Sequence, residues 1–377
     1  MKISINATCF NNEPSGARNR FIGIYGQLFK NFAEGEFFVF EPKDCSISEW
    51  FPHQPNIRFI QTDQLSGGSL QRYISGLFFW KRELKRIDPD IFETFIFPLV
   101  KSPSGRTILT IHDIRYIQFP EFYSKAREFV SWSVLKNALD EADHVITVSH
   151  SMKEEVLRFY PNLNISVLYN GIDADSYNTL SDEDLLRVRK MYGLEQGFLL
   201  SVGHLEKRKN YTRLLQAISI LKKRGKNFFL VIIGGDGGEG SNMFEQIRTL
   251  NLSDNVMILK NLPDWEVQSL FRLCSLFVFP SVYEGFGIPI LEAMAAQRPM
   301  VLSDLPVFRE ITENQSIYFD PNKIESIADV ILKTYSSKSE QERLVDYGLK
   351  RMEAFKYHNL AQDLVKIYRQ QLNSKRS

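Results

Sequence analysis

Residues 198–218 read FLLSVGHLEKRKNYTRLLQAI, and this stretch decides the fold class. It begins with an apolar run, 198–202, that has the length of one buried strand. After a polar loop, apolar residues return at the spacing of one helix face, as at Leu214 and Ile218. A buried strand followed by a short loop and an amphipathic helix is the repeating unit of a parallel α/β sheet.

Runs of the same kind lie on both sides of this stretch. In the second half of the chain they are 228–233, 256–259, 276–279, 300–302 and 316–319. In the first half they are 2–6, 37–40, 57–60, 91–94, 107–111, 144–148 and 166–169. Because helical patterns separate most of them, we predict an α/β protein with two Rossmann-like domains in tandem.

The length of the chain agrees with two domains. Its 377 residues would fill two domains of roughly 100–200 residues each. We predict an N-terminal Rossmann-like domain over 1–175 and a C-terminal Rossmann-like domain over 176–354. The amphipathic pattern near the end predicts a helix within 355–377 that crosses back to pack on the N-terminal domain.

Charge and cysteine content argue against several classes of protein. Lysine and arginine number 46 against 45 acids, whereas a nucleic-acid-binding domain is usually strongly basic. The three cysteines, Cys9, Cys45 and Cys274, are far apart and fit neither a disulfide framework nor a zinc site. The first residues lack a signal-peptide core, and no apolar run has the roughly 18 residues of a membrane span. We therefore expect a cytoplasmic protein without a nucleic-acid partner.

Three cations follow the run 198–202, just ahead of a predicted helix for which Asn210 is the expected N-cap. Lys207, Arg208 and Lys209 are unfavourably placed there, because a helix amino end carries positive partial charge. A bound phosphate would make this placement favourable, because backbone N–H groups and the side chains of Arg208 and Lys209 would bind it. A solvated basic loop is the alternative.

A second candidate loop follows the run 276–279 and reads PSVYEGFGIPILEAMA over residues 280–295. Its glycines allow the backbone to approach a ligand closely, and Pro289 suits the first turn of a helix whose amino end would face a phosphate or a sugar. Glu284 lies in the loop, and Glu292 lies in the helix, where its carboxylate could reach nucleoside hydroxyls. The alternatives are a turn carboxylate and a simple partner of the helix dipole.

Two further candidates lie in the N-terminal half. His112 and Asp113 follow the run 107–111, where the histidine could hydrogen-bond a substrate hydroxyl and the aspartate could orient it. Gly16, in the polar loop 11–20, could bring backbone N–H groups to a ligand. A structural histidine and a surface turn are the alternatives.

Two patterns are poor indicators of function here. Residues 235–240 match G-x-G-x-x-G, but the next strand ends at Lys260 rather than at the acid that a dinucleotide site needs, so we favour a plain loop. Asp173 and Asp175 resemble a metal-binding D-x-D pair, but they lie at the domain boundary, where we favour a linker turn.

Taken together, these strings resemble the family 4 retaining glycosyltransferases, which have the GT-B fold. Glu284-x7-Glu292 looks like the E-x7-E signature of that family. The segment from Gly203 to Asn210 looks like its basic diphosphate-binding segment, and His112-Asp113 looks like its histidine-aspartate pair. This chain has His204 where many relatives carry arginine, and Gly16-Ala17 where two glycines are commoner.

The resemblance implies a role for each candidate residue. The residues implied to bind the donor diphosphate are Arg208, Lys209, Gly287, Ile288 and Gly16. Those implied to bind the donor sugar are Glu284, Gly285 and Phe286, and the residue implied to bind the ribose is Glu292. His112, Asp113 and Glu284 are the implied catalytic residues. No metal or cofactor is implied, because the cations take the place of Mg²⁺ on the diphosphate.

The resemblance also implies a reaction. It is hexose transfer with retention from a nucleotide sugar to a growing glycan or lipid-linked acceptor, in polysaccharide biosynthesis. The N-terminal domain would bind the acceptor and the C-terminal domain the donor. GDP-mannose is the first candidate donor, followed by UDP-glucose and UDP-N-acetylglucosamine. A nucleotide-sugar epimerase of the same fold and a non-catalytic binder of nucleotide or glycan are the alternatives.

A basic segment suggests contact with a membrane surface. Residues 71–86 combine Leu77, Phe78, Phe79 and Trp80 with Lys81, Arg82, Lys85 and Arg86. A helix of this composition can lie on an anionic surface at the inner face of a membrane. An ordinary helix with a solvated basic face is the alternative.

Overall fold

The computed structural model describes residues 1–13, 15–66, 79–95, 100–119 and 125–374. The chain forms two compact units. Unit 1 comprises Met1–Ile172 and Tyr357–Ser377, and unit 2 comprises Asp173–Lys356.

Unit 1 contains a seven-stranded parallel sheet with the order β3-β2-β1-β4-β5-β6-β7. Its strands are β1 (Lys2–Asn6), β2 (Glu36–Glu41), β3 (Ile57–Gln61), β4 (Ile91–Thr94), β5 (Arg106–Ile111), β6 (His144–Thr147) and β7 (Ile165–Val167). The helices are α1 (Gly16–Asn31), α2 (Arg115–Gln118), α3 (Lys125–Glu141) and α4 (His150–Phe159), besides a 3₁₀ turn (Ile47–Trp50) and helical residues 79–87.

The last helix of the chain, Tyr357–Asn373, belongs to unit 1 and packs on α1. It buries Leu360, Leu364 and Tyr368 in the same apolar cluster as Ile24 and Tyr25 of α1. Close approach of the two helices depends on Gly23, because a Cβ atom there would overlap the ring of Tyr357. The predicted return of the C-terminal helix to the first domain is therefore confirmed.

Unit 2 contains a six-stranded parallel sheet with the order β10-β9-β8-β11-β12-β13. Its strands are β8 (Leu199–Val202), β9 (Leu230–Ile233), β10 (Val256–Leu259), β11 (Leu276–Phe279), β12 (Met300–Ser303) and β13 (Ile317–Phe319). Its helices are α5 (Asp175–Asn178), α6 (Asp182–Met191), α7 (Tyr211–Lys223), α8 (Gly240–Thr249), α9 (Asp264–Leu273), α10 (Ile288–Ala295), α11 (Pro306–Ile311), α12 (Ile324–Tyr335) and α13 (Lys338–Arg351). Two 3₁₀ turns, Lys207–Lys209 and Met352–Phe355, complete it, and the helix at Tyr357–Asn373 is α14.

The predicted α/β class with two Rossmann-like domains is confirmed. The apolar runs became strands because parallel strands covered on both faces are buried along their whole length. The structure differs from the predicted strands only at the strand ends. For example, the predicted strand 166–169 corresponds to β7 at Ile165–Val167, and the predicted strand 228–233 corresponds to β9, which begins at Leu230.

Residues 71–78 of the predicted membrane-contact segment lie outside the described residues, whereas Phe79 to Arg86 lie in the helical stretch. Within the described part of the chain, no helix combines the length and the apolarity that crossing a membrane requires.

Candidate functional site

Two of the predicted loops meet because of the strand order in unit 2. Strands β8 and β11 pair directly, with Leu199 opposite Leu276, although they are far apart in the chain. The loop after β8 carries Arg208 and Lys209, and the loop after β11 carries Glu284. Since parallel strands end at the same edge of their sheet, both loops lie side by side at the carboxyl edge, where ligands of such sheets bind.

Glu284 forms ion pairs with both predicted phosphate-binding cations. Lys209 Nζ donates to Glu284 Oε1 at 2.7 Å, and Arg208 Nη1 donates to Glu284 Oε2 at 2.7 Å. The exposed fraction of each of these three side chains is at most 13%. The sequence-based prediction assigned the carboxylate to a sugar and the cations to a diphosphate, and the structure places all three groups in one cluster.

Neighbouring groups fix this cluster in place. The hydroxyl of Ser281 donates to Glu284 at 2.8 Å, and Glu206 accepts a 2.6 Å bond from Arg208 Nε. The Lys209 ammonium also lies 5.0 Å from the centre of the Phe279 ring, a cation–π distance. Gly203 leaves room for Lys209, because a Cβ atom there would lie 2.8 Å from Nζ.

The cluster perturbs the ionisation of its members. Burial opposes the charge on Glu284, but Lys209 and Arg208 outweigh burial and lower its pKa to about 2. Burial also lowers the pKa of Lys209, and the carboxylate of Glu284 opposes that change. The carboxylate is therefore ionised at neutral pH and accepts hydrogen bonds.

The expected N-cap role of Asn210 is wrong. Its backbone is left-handed, at φ 59°, and its side chain makes no capping bond. Instead, Nδ2 donates to the carbonyl oxygens of Pro280 at 3.0 Å and Pro321 at 2.8 Å. Asn210 thus ties the basic turn to the loops after β11 and β13, which fixes where Arg208 and Lys209 lie.

Helix α10 begins where the second loop ends. Gly287 adopts φ 131°, a conformation that favours glycine, and a Cβ atom there would lie 3.0 Å from the Phe308 ring. Ile288 is the first helical residue, and the first-turn amides of a helix have no intrahelical acceptor. Gly285 and Phe286 are buried in the same loop. The amino end of a helix of this kind can bind an anion.

Glu292 lies one turn into α10 and is half-buried. The hydroxyl of Tyr177 in α5 approaches its Oε1 at 3.5 Å. Burial and the negative charge of Asp264 raise its pKa to about 7, although Tyr177 and Lys209 oppose the rise. This carboxyl group changes charge near neutral pH.

The other predicted residues belong to unit 1. Gly16 begins α1, where Ser15 caps the helix through the amide of Arg18. His112 follows β5 directly, and Asp113 pairs with Arg115 at 3.6 Å. Burial, with the charge of Arg20, lowers the pKa of His112 to about 3. His112 is thus a neutral imidazole at neutral pH.

The two patterns judged to be poor indicators have local structural roles. Asp236 accepts from the amides of Gly238 at 2.9 Å and Gly240 at 3.0 Å, which shapes the loop before α8. Asp175 begins the short helix α5. Among the described residues, no group of three His, Cys, Asp or Glu side chains has the arrangement of a metal site.

Sequence reasoning missed the residues that support the site. Ser281 and Glu206 lie within the quoted strings, three and two residues from their partners, so their spacing was a usable signal. Tyr177 approaches Glu292 across 115 residues of chain, and no local pattern indicates that contact.

Two family models match the chain, one in each half. The family model described as Glycosyltransferase Family 4 matches residues 38–176, and the model described as Glycosyl transferases group 1 matches residues 186–351. The chain is 30% identical over 268 residues to O-antigen chain mannosyltransferase B of Escherichia coli, with 70% of each chain covered. It is 28% identical over 220 residues to O-antigen chain mannosyltransferase RfbU of Salmonella typhimurium, with 58% of each covered.

Solved structures share the fold. Sucrose-phosphate synthase from Thermosynechococcus elongatus superposes with a TM-score of 0.78 at 18% identity, with 98% of each chain covered. Anabaena HepE in complex with UDP-glucose superposes with a TM-score of 0.74 at 17% identity, covering 98% of this chain and all of HepE. The fold and the matching family models define a hexose-transferring glycosyltransferase with the GT-B fold. The chain belongs to glycosyltransferase family 4.

Proposed function

We propose that this enzyme transfers mannose from GDP-mannose to a growing glycan or a lipid-linked saccharide, with retention of anomeric configuration. One observation carries the donor-binding half of the proposal. Two buried cations, Arg208 and Lys209, converge on Glu284 in the loop that opens helix α10. The names of the two O-antigen mannosyltransferases above support mannose, and UDP-glucose and UDP-N-acetylglucosamine remain the next candidates.

The cations act on the leaving group. Negative charge grows on the departing nucleoside diphosphate as the glycosidic bond breaks, and preorganised cations stabilise it. Arg208 and Lys209, with the amides of Gly287 and Ile288, supply that stabilisation without a metal. Gly16 stays a predicted diphosphate-binding residue on the family resemblance alone.

Carboxylates hold the hydroxyl groups of the donor. Glu284 is ionised, so it accepts from the hydroxyls of the transferred sugar beside Gly285 and Phe286, and Glu292 accepts from the ribose. The leaving phosphate takes the proton of the acceptor hydroxyl, so no separate protein base is required. His112 contacts the sugar near the anomeric carbon, and Asp113 orients it.

A thermal-shift panel of nucleoside diphosphates and nucleotide sugars tests the donor site, because a ligand that binds the folded protein raises its melting temperature. We expect guanosine ligands to stabilise the protein more than uridine ligands. Equal shifts for all bases would remove the preference for GDP-mannose, and an absence of any shift would remove the donor site.

The two alternative functions, a nucleotide-sugar epimerase and a non-catalytic binder, predict different results in a turnover assay. An epimerase would turn over the nucleotide sugar without any acceptor. A non-catalytic binder would show no turnover with any acceptor, and the Glu284→Gln variant would keep its function. Transfer of label from donor to glycan, lost in Glu284→Gln, supports the transferase.

The location is proposed to be cytoplasmic, with peripheral contact at the inner membrane face through the segment that ends at Arg86. Liposome co-sedimentation tests this contact. Neutralising Lys81, Arg82, Lys85 and Arg86 together should reduce binding to anionic vesicles, and unchanged binding would contradict it.

A further inference from the structure

A polar cavity lies at the amino edge of the second sheet, at the opposite end of the strands from Arg208 and Lys209. Its volume of about 400 Å³ lies within the roughly 300–1,000 Å³ of small-molecule pockets. Ser275 and Pro299, which line it, directly precede the neighbouring strands β11 and β12, and residues of α13 complete the lining. The cavity is therefore separate from the loops that follow β8 and β11, and the proposed function does not use it.

Packed helices hold the walls of this cavity. Gln341, on α13, donates from Nε2 to the carbonyl oxygens of Thr334 at 2.9 Å and Tyr335 at 2.8 Å, at the end of α12. Gly348 allows α13 to lie close to α10, because a Cβ atom there would lie 3.2 Å from Met294. The walls are therefore in place before any ligand binds, as in most small-molecule sites.

Arg298 is the charged residue that distinguishes this cavity. It is half-buried, and among the described residues its side chain has neither a hydrogen-bond acceptor nor a carboxylate within ion-pair distance. Burial lowers the pKa of its guanidinium, the Cys274 thiol opposes this change, and the charge of Arg272 adds to it. The negative carboxyl end of α10 favours a cation here, but it does not supply the missing acceptor. Since charges removed from water are normally paired, an anion in the cavity would complete the site.

The rest of the lining is polar as well, because seven of its nine residues are polar or charged. Within the part of the chain that the structure describes, the side chains of Ser275 and Asp346 make no hydrogen bond or ion pair. Lys338 and Glu342 pair at 3.9 Å, but their side chains are 90% and 66% exposed. Such an exposed pair contributes little, so both groups are available to a ligand.

Gln297 is an unusual residue for its place in the chain. It adopts φ 57° just after the carboxyl end of α10, where glycine or asparagine is the usual residue. The chain nevertheless has a long amide side chain at this position, and that side chain lines the cavity. Residues that oppose a local backbone preference are expected at functional sites.

We propose that this cavity binds a sugar phosphate. The phosphate accepts charge-assisted hydrogen bonds from Arg298 and Lys338, and the sugar hydroxyls donate to the carboxylates of Glu342 and Asp346. A simple anion would meet the same two carboxylates and be repelled by them. A ligand with an anionic end and an uncharged polyhydroxyl end matches both halves of the lining. This site does not depend on the proposed donor site.

Isothermal titration calorimetry of the full chain with glucose 6-phosphate and with mannose 6-phosphate tests the proposal. We expect the wild type to bind at least one of them, and Arg298→Met to weaken that binding at least about tenfold, because it removes the main phosphate partner. Inorganic phosphate and serine, an anion and a zwitterion without a sugar, should bind more weakly. Asp346→Asn should reduce the preference for the hexose phosphate over inorganic phosphate.

Two control variants make the result specific to the cavity. Lys350→Met removes an exposed cation of α13 that is not part of the lining, and it should leave binding unchanged. Lys209→Ala alters the proposed donor site and should also leave binding of the hexose phosphate unchanged. Should Arg298→Met not fold, Gln297→Gly replaces it, because glycine suits the left-handed backbone, and the loss of the amide should weaken binding.

Three results would overturn the proposal. The first is that neither hexose phosphate binds to the wild type. The second is that inorganic phosphate or serine binds as tightly as the hexose phosphate. The third is binding that is lost in Lys209→Ala and kept in Arg298→Met, or kept in Gln297→Gly if that variant takes its place. None of these results would contradict the donor site, which the panel of nucleotides tests separately.

Discussion

Lys209 and Glu284 are joined by a 2.7 Å bond between Nζ and Oε1, and both side chains are about nine-tenths buried. Arg208 completes the cluster on the other carboxylate oxygen. A buried ion pair contributes little net stability, but removing one partner leaves an uncompensated charge in a site of low polarity. The cluster therefore links the stability of unit 2 to the chemistry of the proposed donor site.

Replacing Glu284 by glutamine should destabilise the ligand-free protein and abolish transfer. The change leaves Arg208 and Lys209 without their shared anion, which we expect to cost about 3 kcal/mol of unfolding free energy. Urea denaturation measures the loss. Glu206→Gln is the matched control, since Glu206 pairs with Arg208 at a more exposed position and should cost less than about 1 kcal/mol. Equal losses of unfolding free energy in Glu284→Gln and Glu206→Gln would contradict the role of Glu284 as the shared anion of Arg208 and Lys209.

Replacing Lys209 by alanine should remove most of the thermal shift that a nucleoside diphosphate produces. The ammonium group pairs with Glu284 in the loop that leads into α10, where the diphosphate is proposed to bind. Differential scanning fluorimetry with saturating ligand measures the shift. Lys207→Ala is the control, because Lys207 lies in the same 3₁₀ turn but is exposed, and its shift should stay close to wild type. A full shift in Lys209→Ala would remove Lys209 from the site.

The affinity for a nucleotide sugar should rise with pH. Glu292 has a pKa of about 7, and its ionised form is the better acceptor for the ribose hydroxyls. A nucleotide sugar is the suitable ligand, because its diphosphate is a diester and keeps its charge between about pH 6 and pH 8. Calorimetric titration should give tighter binding at the higher pH in wild type and a flat profile in Glu292→Gln. A rise of equal size in that variant would contradict the role of Glu292.

The same carboxyl group should lower the stability of the ligand-free protein as pH rises. Its pKa is raised by folding from 4.5 to about 7, so its stabilising contribution is complete below pH 4.5 and is lost as pH rises toward 7. Glu292→Gln should therefore stabilise the protein at about pH 8, by at most about 3 kcal/mol, and have little effect near pH 4.5. Urea denaturation at both pH values checks the sign, and a stabilisation that is the same at both would contradict it.

Two glycines of α1 should respond in opposite directions to alanine. A Cβ atom at Gly23 would overlap the ring of Tyr357, so Gly23→Ala should lose about 1–3 kcal/mol despite the helix preference of alanine. At Gly26 the same atom would lie 3.7 Å from Phe51, an ordinary contact, so Gly26→Ala should gain up to about 1 kcal/mol. Thermal denaturation of both variants measures the difference. A loss in both would mean that the contact with Tyr357 is not the cause.

Local sequence was sufficient for the strands and insufficient for the contacts between loops. The run 198–202 is apolar because both faces of β8 are covered, and this pattern is visible within five residues. The partners of Asn210, by contrast, are carbonyl oxygens 70 and 111 residues away, and only the strand order places them nearby. The same holds for Glu93, whose burial beside Tyr368 depends on the return of α14. The strand order brings the residues of such polar contacts together from distant parts of the chain. These contacts therefore produce no repeating pattern in the local sequence, and the sequence alone does not predict them.

The direct test of the central claim, a diphosphate site built by Arg208 and Lys209, is the binding difference between a nucleoside diphosphate and its monophosphate. Isothermal titration calorimetry with both ligands measures it in wild type and in Lys209→Ala, for whichever base binds. We expect the second phosphate to strengthen wild-type binding at least about tenfold, or 1.4 kcal/mol, and to add little in Lys209→Ala. Equal affinity for the two ligands in wild type, or an undiminished difference in Lys209→Ala, would contradict it.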